Sequence, residues 1–289
     1  MIRRTLKYYR QLSAEVPGLR AVTVSHPGQL SAAQELHARI YRAADYVVDA
    51  DLTTGPVRIG PRKDPYQAHA QYFCVQGMRA GAPHTVAAVR IITADPGQGL
   101  GSFPAYTTQQ LYPEYRRLLE EADPAACGEI SALVREPGVS GKAALMLYRA
   151  VWHYSLQRRY ALLLVCCDTR LYQRCKMIFG ASWIRIGPDG SIWNHRVVPV
   201  MIHIPSSLDE ALTLSRVNPV KRRVKMKALE FFVRGLPDDV VLPAHRAKLS
   251  RYRLDTAAPE LAAGRLRRRA GHDAHAQIAD LVDAQAVDP

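Results

Sequence analysis

An α/β (α+β) fold, a sheet flanked by helices, is the class this sequence predicts, and three observations predict it. An apolar run at residues 128–134 is followed by a Pro/Gly turn and then by Leu145, Tyr148, Val151 and Trp152 at helical spacing, which reads as strand, turn, helix. Two apolar or alternating runs, residues 70–76 and 85–92, flank a Gly-containing stretch at 77–83 and read as a hairpin with a long turn. A continuous apolar run at 160–167 is followed by a short helical pattern at 169–177 and by two further strand patterns, 182–186 and 196–204, around Gly187-Pro188-Asp189-Gly190.

The remaining elements follow in chain order. Residues 1–24 form a basic N-terminal arm carrying Tyr8 and Tyr9, with a first strand over 20–24. Leu36, Ile40, Ala43, Ala44 and Val47 lie on one helical stripe, so a helix is expected over 31–47 with Ser31 as its N-cap. Residues 49–64 are rich in Gly, Pro and charge without periodicity, as expected of a loop near a site. A turn at 95–101 leads to a helix over 107–121, broken or started late at Pro113. Ser206 or Ser207 caps a helix over 208–214, and Pro219 precedes an amphipathic segment that Gly235 and Pro237 stop. From Thr256 the chain is Ala/Arg-rich and poor in large apolar residues, which suits a weakly ordered helix or disorder. The expected organisation is thus an arm (1–24), a folded domain (25–206) and a basic helical C-terminal extension (207–289).

Composition narrows the function. A chain of 289 residues with 48% hydrophobic and 22% charged residues can bury a large core. No apolar run approaches the roughly 20 residues of a membrane span, and Met1-Ile2-Arg3-Arg4 is not followed by the apolar core of a secretory signal. Cys74, Cys127, Cys166, Cys167 and Cys175 have no metal-ligand spacing and fit buried thiols of a reducing cytoplasm. His69, His84 and His153 likewise show no metal spacing, so no metal is expected. The formal net charge of +13 calls for an anionic partner, and residues 216–269 hold fifteen Lys/Arg against five Asp/Glu, a net +10.

Two local features carry chemistry. A strand-to-helix turn leaves backbone N–H groups facing outward at the helix start, an anion site that Gly138, Gly141 and Lys142 favour; the same pattern is also an ordinary α/β connection. Glu129 is a carboxylate inside an apolar strand, so it needs either a structural partner or a function.

The order of elements, and four places in it, resemble the acetyltransferase-like (GNAT) fold, in particular the long-chain N-acyl amino acid synthases and, more distantly, the acyl-homoserine-lactone synthases. The four places are Asp64-Pro65-Tyr66, Val89-Arg90-Ile91-Ile92 leading to Phe103-Pro104, Glu129-Ile130-Ser131, and Asp168-Thr169-Arg170-Leu171-Tyr172-Gln173-Arg174 before Gly180. The resemblance covers roughly residues 30–205. It implies a mixed, mostly antiparallel sheet splayed at its middle strand. There are departures: Ala132 and His37 stand where these families carry Arg, Gln67 where the lactone synthases carry a second acid, and Ser140 where the acetyltransferase loop begins with Arg or Gln.

Through the resemblance, the chain is expected to be an N-acyltransferase. It would move a fatty acyl group from acyl-carrier protein, as a phosphopantetheine thioester, or from acyl-CoA, to an amino acid or similar small amine. Glu129 would take the amine's proton and Tyr172 would protonate the leaving thiolate, or be only a core or surface tyrosine. Arg90 would hold the acceptor's carboxylate, with Asp64 and Ser131 as further substrate-binding residues; Arg90 paired to a buried acid such as Asp64 or Glu129, and Asp64 as only a loop acid, are the alternatives. Val134, Arg135, Ser140, Gly141, Lys142 and Ala143 would hold the donor's phosphate. Trp152, Phe179 and Trp183 would line the acyl pocket or fill the core. The basic extension fits an acidic acyl carrier protein, and residues 220–234, with Phe231 and Phe232, fit a membrane surface at the inner face. Nucleic acid is a weaker fit, since no zinc pattern, RNA motif or helix-turn-helix is present. An acyl-homoserine-lactone-type synthase and an inactive scaffold with a binding tail are the alternative readings.

Overall fold

The structure is a computed structural model that describes residues 16–44, 66–192, 195–207, 228 and 230–232. The expectations for the arm, for the loop at 49–64, for the helix over 208–214 and for nearly all of the extension lie outside these residues.

Among the described residues, eight strands form one sheet: β1 (Arg20–Thr23), β2 (Ala70–Arg79), β3 (Ala82–Thr93), β4 (Cys127–Arg135), β5 (Leu162–Asp168), β6 (Trp183–Arg185), β7 (Gly190–Ile192) and β8 (His195–His203). Their order is β1-β2-β3-β4-β5-β8-β6, with β7 on β8, and every pairing is antiparallel except β4 with β5. This is the mixed, mostly antiparallel sheet expected.

The hairpin is tighter than the sequence suggests. Its strands run to Arg79 and from Ala82, and the turn is only Ala80-Gly81, both at positive φ (50° and 78°), the backbone of a twist-matched two-residue turn. Two register shifts then re-aim its residues. Val75↔Ala87 is followed by Gln76↔Thr85, so Val86 is an extra residue on β3. Ala88↔Val134 is followed by Arg90↔Ser131, so β4 carries an extra residue where Ala132 sits at φ 54°.

Helices cover both faces. On one, α4 (Lys142–Arg158) and α5 (Thr169–Phe179) bury Leu147, Val151 and Tyr172 against Phe73, Val89, Ile130, Leu163, Val165 and Val198. On the other, α1 (Pro27–Ala43) packs Ala33 and Leu36 on Tyr72, Cys74, Ala88 and Val134. The same face, toward β5, is covered by α2 (Pro104–Thr108) and α3 (Pro113–Glu121), which bring Phe103, Leu118 and Leu119 onto Leu162, Leu164 and Met201.

α1 starts at Pro27, earlier than expected, with His26 and not Ser31 at its N-cap; Pro pre-sets the first helical φ and lacks the N–H that would go unpaired there. Ser31 instead donates to Glu35 at 2.9 Å. The helix expected over 107–121 is two, α2 and α3, with Pro113 starting the second. The turn after β6 also contains the short strand β7, which the sequence reading missed.

That turn is tightly built. A Cβ at Gly187 would lie 2.2 Å from the Gln110 carbonyl oxygen and 2.8 Å from Pro199 Cγ. Backbone cannot swing aside as a side chain can. Gly187→Ala should therefore cost about 1–3 kcal/mol and lower Tm by several degrees in a thermal melt; an unchanged melt would mean that the segment before α3 does not seat on this turn.

Candidate active site

The one parallel pairing is short. β4 and β5 are joined from Cys127↔Leu162 to Ile130↔Val165, after which Ser131–Arg135 stay with β3 and Cys166–Asp168 stay with β8. The sheet forks there, as expected of a sheet splayed at its middle strand.

Polar side chains gather beside the fork, on the face of α1 and α2, between the two apolar clusters of that face. The register puts Tyr72, Arg90 and Ser131 in one row across β2, β3 and β4. Arg90 is buried; its Nε donates to Ser131 Oγ at 2.7 Å and its Nη1 to the Tyr72 hydroxyl at 3.2 Å. Its guanidinium carbon stands 5.0 Å from the Tyr66 ring centroid. Arg90 and Ser131, both expected at the acceptor site, are thus brought together. Asp64 lies outside the described residues.

Glu129 is on the same face, one residue before the fork, and only 2% exposed. Its Oε2 accepts the Ala105 N–H at 2.8 Å, so the carboxyl caps the first turn of α2, which has no side-chain cap of its own. Burial pushes its pKa up to about 8, against the opposing pull of the Ala105 amide and the Arg90 charge. The group is thus poised to gain or lose a proton near neutrality. Cys166 is close enough to Glu129 to be affected by it: burial, and then the Glu129 charge, push the thiol up.

Tyr172 lies on the other face, 5% exposed in the core under α4 and α5, with Lys176 Nζ 5.8 Å from its ring centroid. No interaction among the described residues joins it to Glu129.

The turn from β4 to α4 is braced internally. Arg135 donates to the carbonyls of Glu136 and Val139, and Ser140 Oγ accepts the Lys142 N–H at 3.2 Å while its carbonyl accepts the Ala143 N–H at 3.0 Å. Two of the amides expected to grip a phosphate therefore already have acceptors. Val134 and Ala143 are buried, the former under α1, so they offer backbone at most. At Gly138, with φ 79°, an added Cβ would meet nothing within 4 Å, so the turn has open space above it. Glu136, next to Arg135, binds Arg39 of α1 and, at 3.0 Å, His84 of β3; burial raises its pKa, but the His84 and Arg39 contacts outweigh it and leave a net lowering.

Lys142 points its ammonium at Phe231, 4.1 Å from the ring centroid. The three aromatics considered for an acyl pocket are engaged in packing. Phe179 stacks on Trp183 at 5.6 Å, and both Phe179 and Trp152 meet the buried Phe232.

Sequence reasoning missed Tyr72, Cys166 and the Ala105 amide. Tyr72 needs the hairpin register; Ala105 needs the tertiary placement of α2. Gln67, at the place of a second acid, accepts from Gln34 Nε2 at 3.0 Å. His69 meets Asp95 at 2.7 Å and His153 meets the Phe232 carbonyl at 2.6 Å. No cluster of metal-ligating side chains occurs among the described residues, and no described helix is long and apolar enough to cross a membrane.

No family model and no curated protein matches the sequence. Among solved structures, the chain is similar to FeeM, an N-acyl amino acid synthase from uncultured soil microbes, at 15% identity over 66% of this chain and 95% of that one, with a TM-score of 0.45. It is similar also to the AHL synthase LasI (19% identity, 64% and 89% covered, TM-score 0.44) and to an N-acetyltransferase from Lactobacillus plantarum (8% identity, 65% and 99% covered, TM-score 0.42). At such distances the geometry above has to carry the functional reading.

The buried carboxyl gives a stability test. Its folded pKa is raised from 4.5 to about 8, so its contribution to stability is fully present below pH 4.5 and is lost as pH rises through 8. Glu129→Gln keeps an oxygen for the Ala105 amide and does not titrate. The variant should match the wild type near pH 5 and exceed it near pH 9 by on the order of a few kcal/mol in denaturant titrations; parallel pH curves would mean that the carboxyl is not held neutral.

Proposed function

We propose that this protein is a GNAT-like N-acyltransferase that moves a fatty acyl group from a pantetheine thioester, on acyl-carrier protein or coenzyme A, to the amine of an amino acid or similar small molecule. One observation carries the reading: the central strands part after Ile130↔Val165, and a buried carboxyl of raised pKa stands at the parting.

The chemistry follows from that placement. A thioester lying in the fork presents its carbonyl to β4, where backbone amides beyond Ile130, free of β5, stabilise the oxyanion as it forms. The amine nitrogen attacks the carbonyl carbon, its proton passes to the Glu129 carboxylate directly or through a water, and the C–S bond breaks. The departing thiolate takes a proton, for which Tyr172, buried on the other face of the sheet, is the candidate. Arg90, immobilised by Ser131 and Tyr72, forms the cationic end of the acceptor site, and Asp64 is the acid proposed to bind the acceptor with it. The turn from Val134 to Ala143, open over Gly138, is the candidate for receiving the donor's phosphate.

Incubating the protein with long-chain acyl-carrier protein or acyl-CoA and a pool of amino acids should give N-acyl products by mass spectrometry. Glu129 must be deprotonated to act, so kcat/KM should rise about tenfold per pH unit below pH 8 and level off above it. Glu129→Gln should lower kcat by about 10²–10⁴ while remaining folded. Absence of product with both donors would leave an inactive scaffold as the better reading.

A further inference from the structure

One nucleophile beside the fork has no part in the transfer as drawn above. β5 alternates between the two faces of the sheet: Leu162 and Leu164 pack under α2 and α3, while Leu163, Val165 and Cys167 pack under α4 and α5. Cys166 therefore belongs to the face of Glu129, where it lies against the Leu162–Leu164 cluster. The register narrows its position further. Glu129 pairs with Leu164 and Ile130 with Val165, so Cys166 is the first β5 residue past the last pairing, as Ser131 is on β4. Strands about 4.8 Å apart that rise about 3.3 Å per residue put the Glu129 and Cys166 Cα atoms about 8 Å from one another where the ladder ends, and the carboxyl acts on the thiol through space.

Exposure sets this thiol apart. Cys74, Cys127, Cys167 and Cys175 are at most 4% exposed, whereas Cys166 is half-buried in a strand that is covered from Leu162 to Val165. The opening is at the fork. Glu129 beside it is only half committed: Oε2 accepts the Ala105 N–H, and Oε1 has no hydrogen-bond donor among the described residues. A thiol with an opening over it next to a buried carboxyl with an oxygen to spare is the pairing of nucleophile and base that covalent acyl transfer uses.

Resting on the acyl-transfer reading, we infer that Cys166 accepts the acyl group first, so that transfer to the amine passes through an S-acyl enzyme. The Cys166 sulfur attacks the donor's carbonyl carbon as its proton passes to the Glu129 carboxylate. The bond between that carbon and the pantetheine sulfur breaks, and the departing thiolate takes the proton from Glu129. The amine nitrogen then attacks the carbonyl carbon of S-acyl Cys166 and loses a proton to Glu129, and the cysteine sulfur leaves and takes that proton back. One thioester is exchanged for another in the first half, so no further reactant is required. Both halves use groups of one face, whereas Tyr172 lies on the other. Burial and the Glu129 charge keep the thiol protonated at rest, which makes the base indispensable.

The test mixes the full-length chain with palmitoyl-CoA, or with palmitoyl-carrier protein, in the absence of amine. Intact mass spectrometry should show one added acyl group, peptide mapping should place it on Cys166, and neutral hydroxylamine should remove it as it removes a thioester. Glu129→Gln should slow its formation by about 10²–10⁴. With an amino-acid pool present, Cys166→Ala should lower kcat about a hundredfold or more, and wild-type initial rates at varied donor and acceptor should give the parallel double-reciprocal lines of a two-stage transfer. N-acyl product formed with no adduct, with an adduct on one of the other four cysteines, or with kcat within twofold in Cys166→Ala overturns the inference and leaves direct acyl transfer standing. The adduct is read on the unaltered chain, so a variant that fails to fold does not shield the inference. A wild-type chain that makes product from neither donor sinks the acyl-transfer reading and this inference with it.

Discussion

The end of the β4–β5 ladder is the constraint on which the rest depends. A sheet covered on both faces normally continues its hydrogen bonding, because an unpaired backbone group inside a protein costs free energy comparable to a lost hydrogen bond. Here four residue pairs are made, and then each strand turns to its outer neighbour, β4 to β3 and β5 to β8. The inner backbone edges of the fork can be satisfied by something brought between them, and that is why the fork is the natural place for an extended ligand. The extra residue at Ala132 falls two residues past the last β5 pairing, at Ile130, and an L-residue at φ 54° is strained by roughly 1–2 kcal/mol. The strain goes with a register that keeps Ser131 facing Arg90 while Val134 turns under α1.

Around this fork the α1/α2 face is divided. One apolar cluster lies under α1 and another under α2 and α3, and Arg90, Ser131 and Glu129 stand between them. A buried carboxyl near a buried guanidinium would ordinarily be read as an ion pair that lowers the carboxyl's pKa. Burial outweighs the Arg90 charge here, and the pKa goes up. The Ala105 amide satisfies one carboxyl oxygen in either protonation state. The site therefore holds an acid that can change protonation without losing its structural bond, a property a proton-transferring group needs and a purely structural cap does not.

Much of the fold was legible because it rests on short-range signals. The strand–turn–helix at 127–158, the strand at 162–168 and the helix after Asp168, whose side chain caps Arg170 and Leu171, follow from apolar periods and cap residues. Glu129 stood out as a lone charge in an apolar strand. What was hidden depended on register. Counting outward from the Ala80-Gly81 turn places Tyr72 opposite Val89; only the extra Val86 moves it opposite Arg90. Bulges of this sort have no strong composition, so the row Tyr72–Arg90–Ser131 could not be assembled from the sequence. The tightness of the hairpin was obscured for a related reason: Ala80 is an uncommon residue at positive φ.

α4 shows how a missing signal can itself be read. Between Ala143 and Leu156 its only Lys, Arg, His, Asp or Glu residues are Arg149 and His153, and the rest of its surface is largely apolar or aromatic. A helix that merely covered a sheet would show one apolar stripe and one polar face. One lacking a clear polar face is expected to be covered on both sides, and the second cover is the Phe231-Phe232 segment from about eighty residues downstream. The cations on that outer side are half-buried, and Lys142 and Arg149 converge on one ring. The helix that follows the β4 turn is therefore packed on the sheet by one side and on Phe231 and Phe232 by the other.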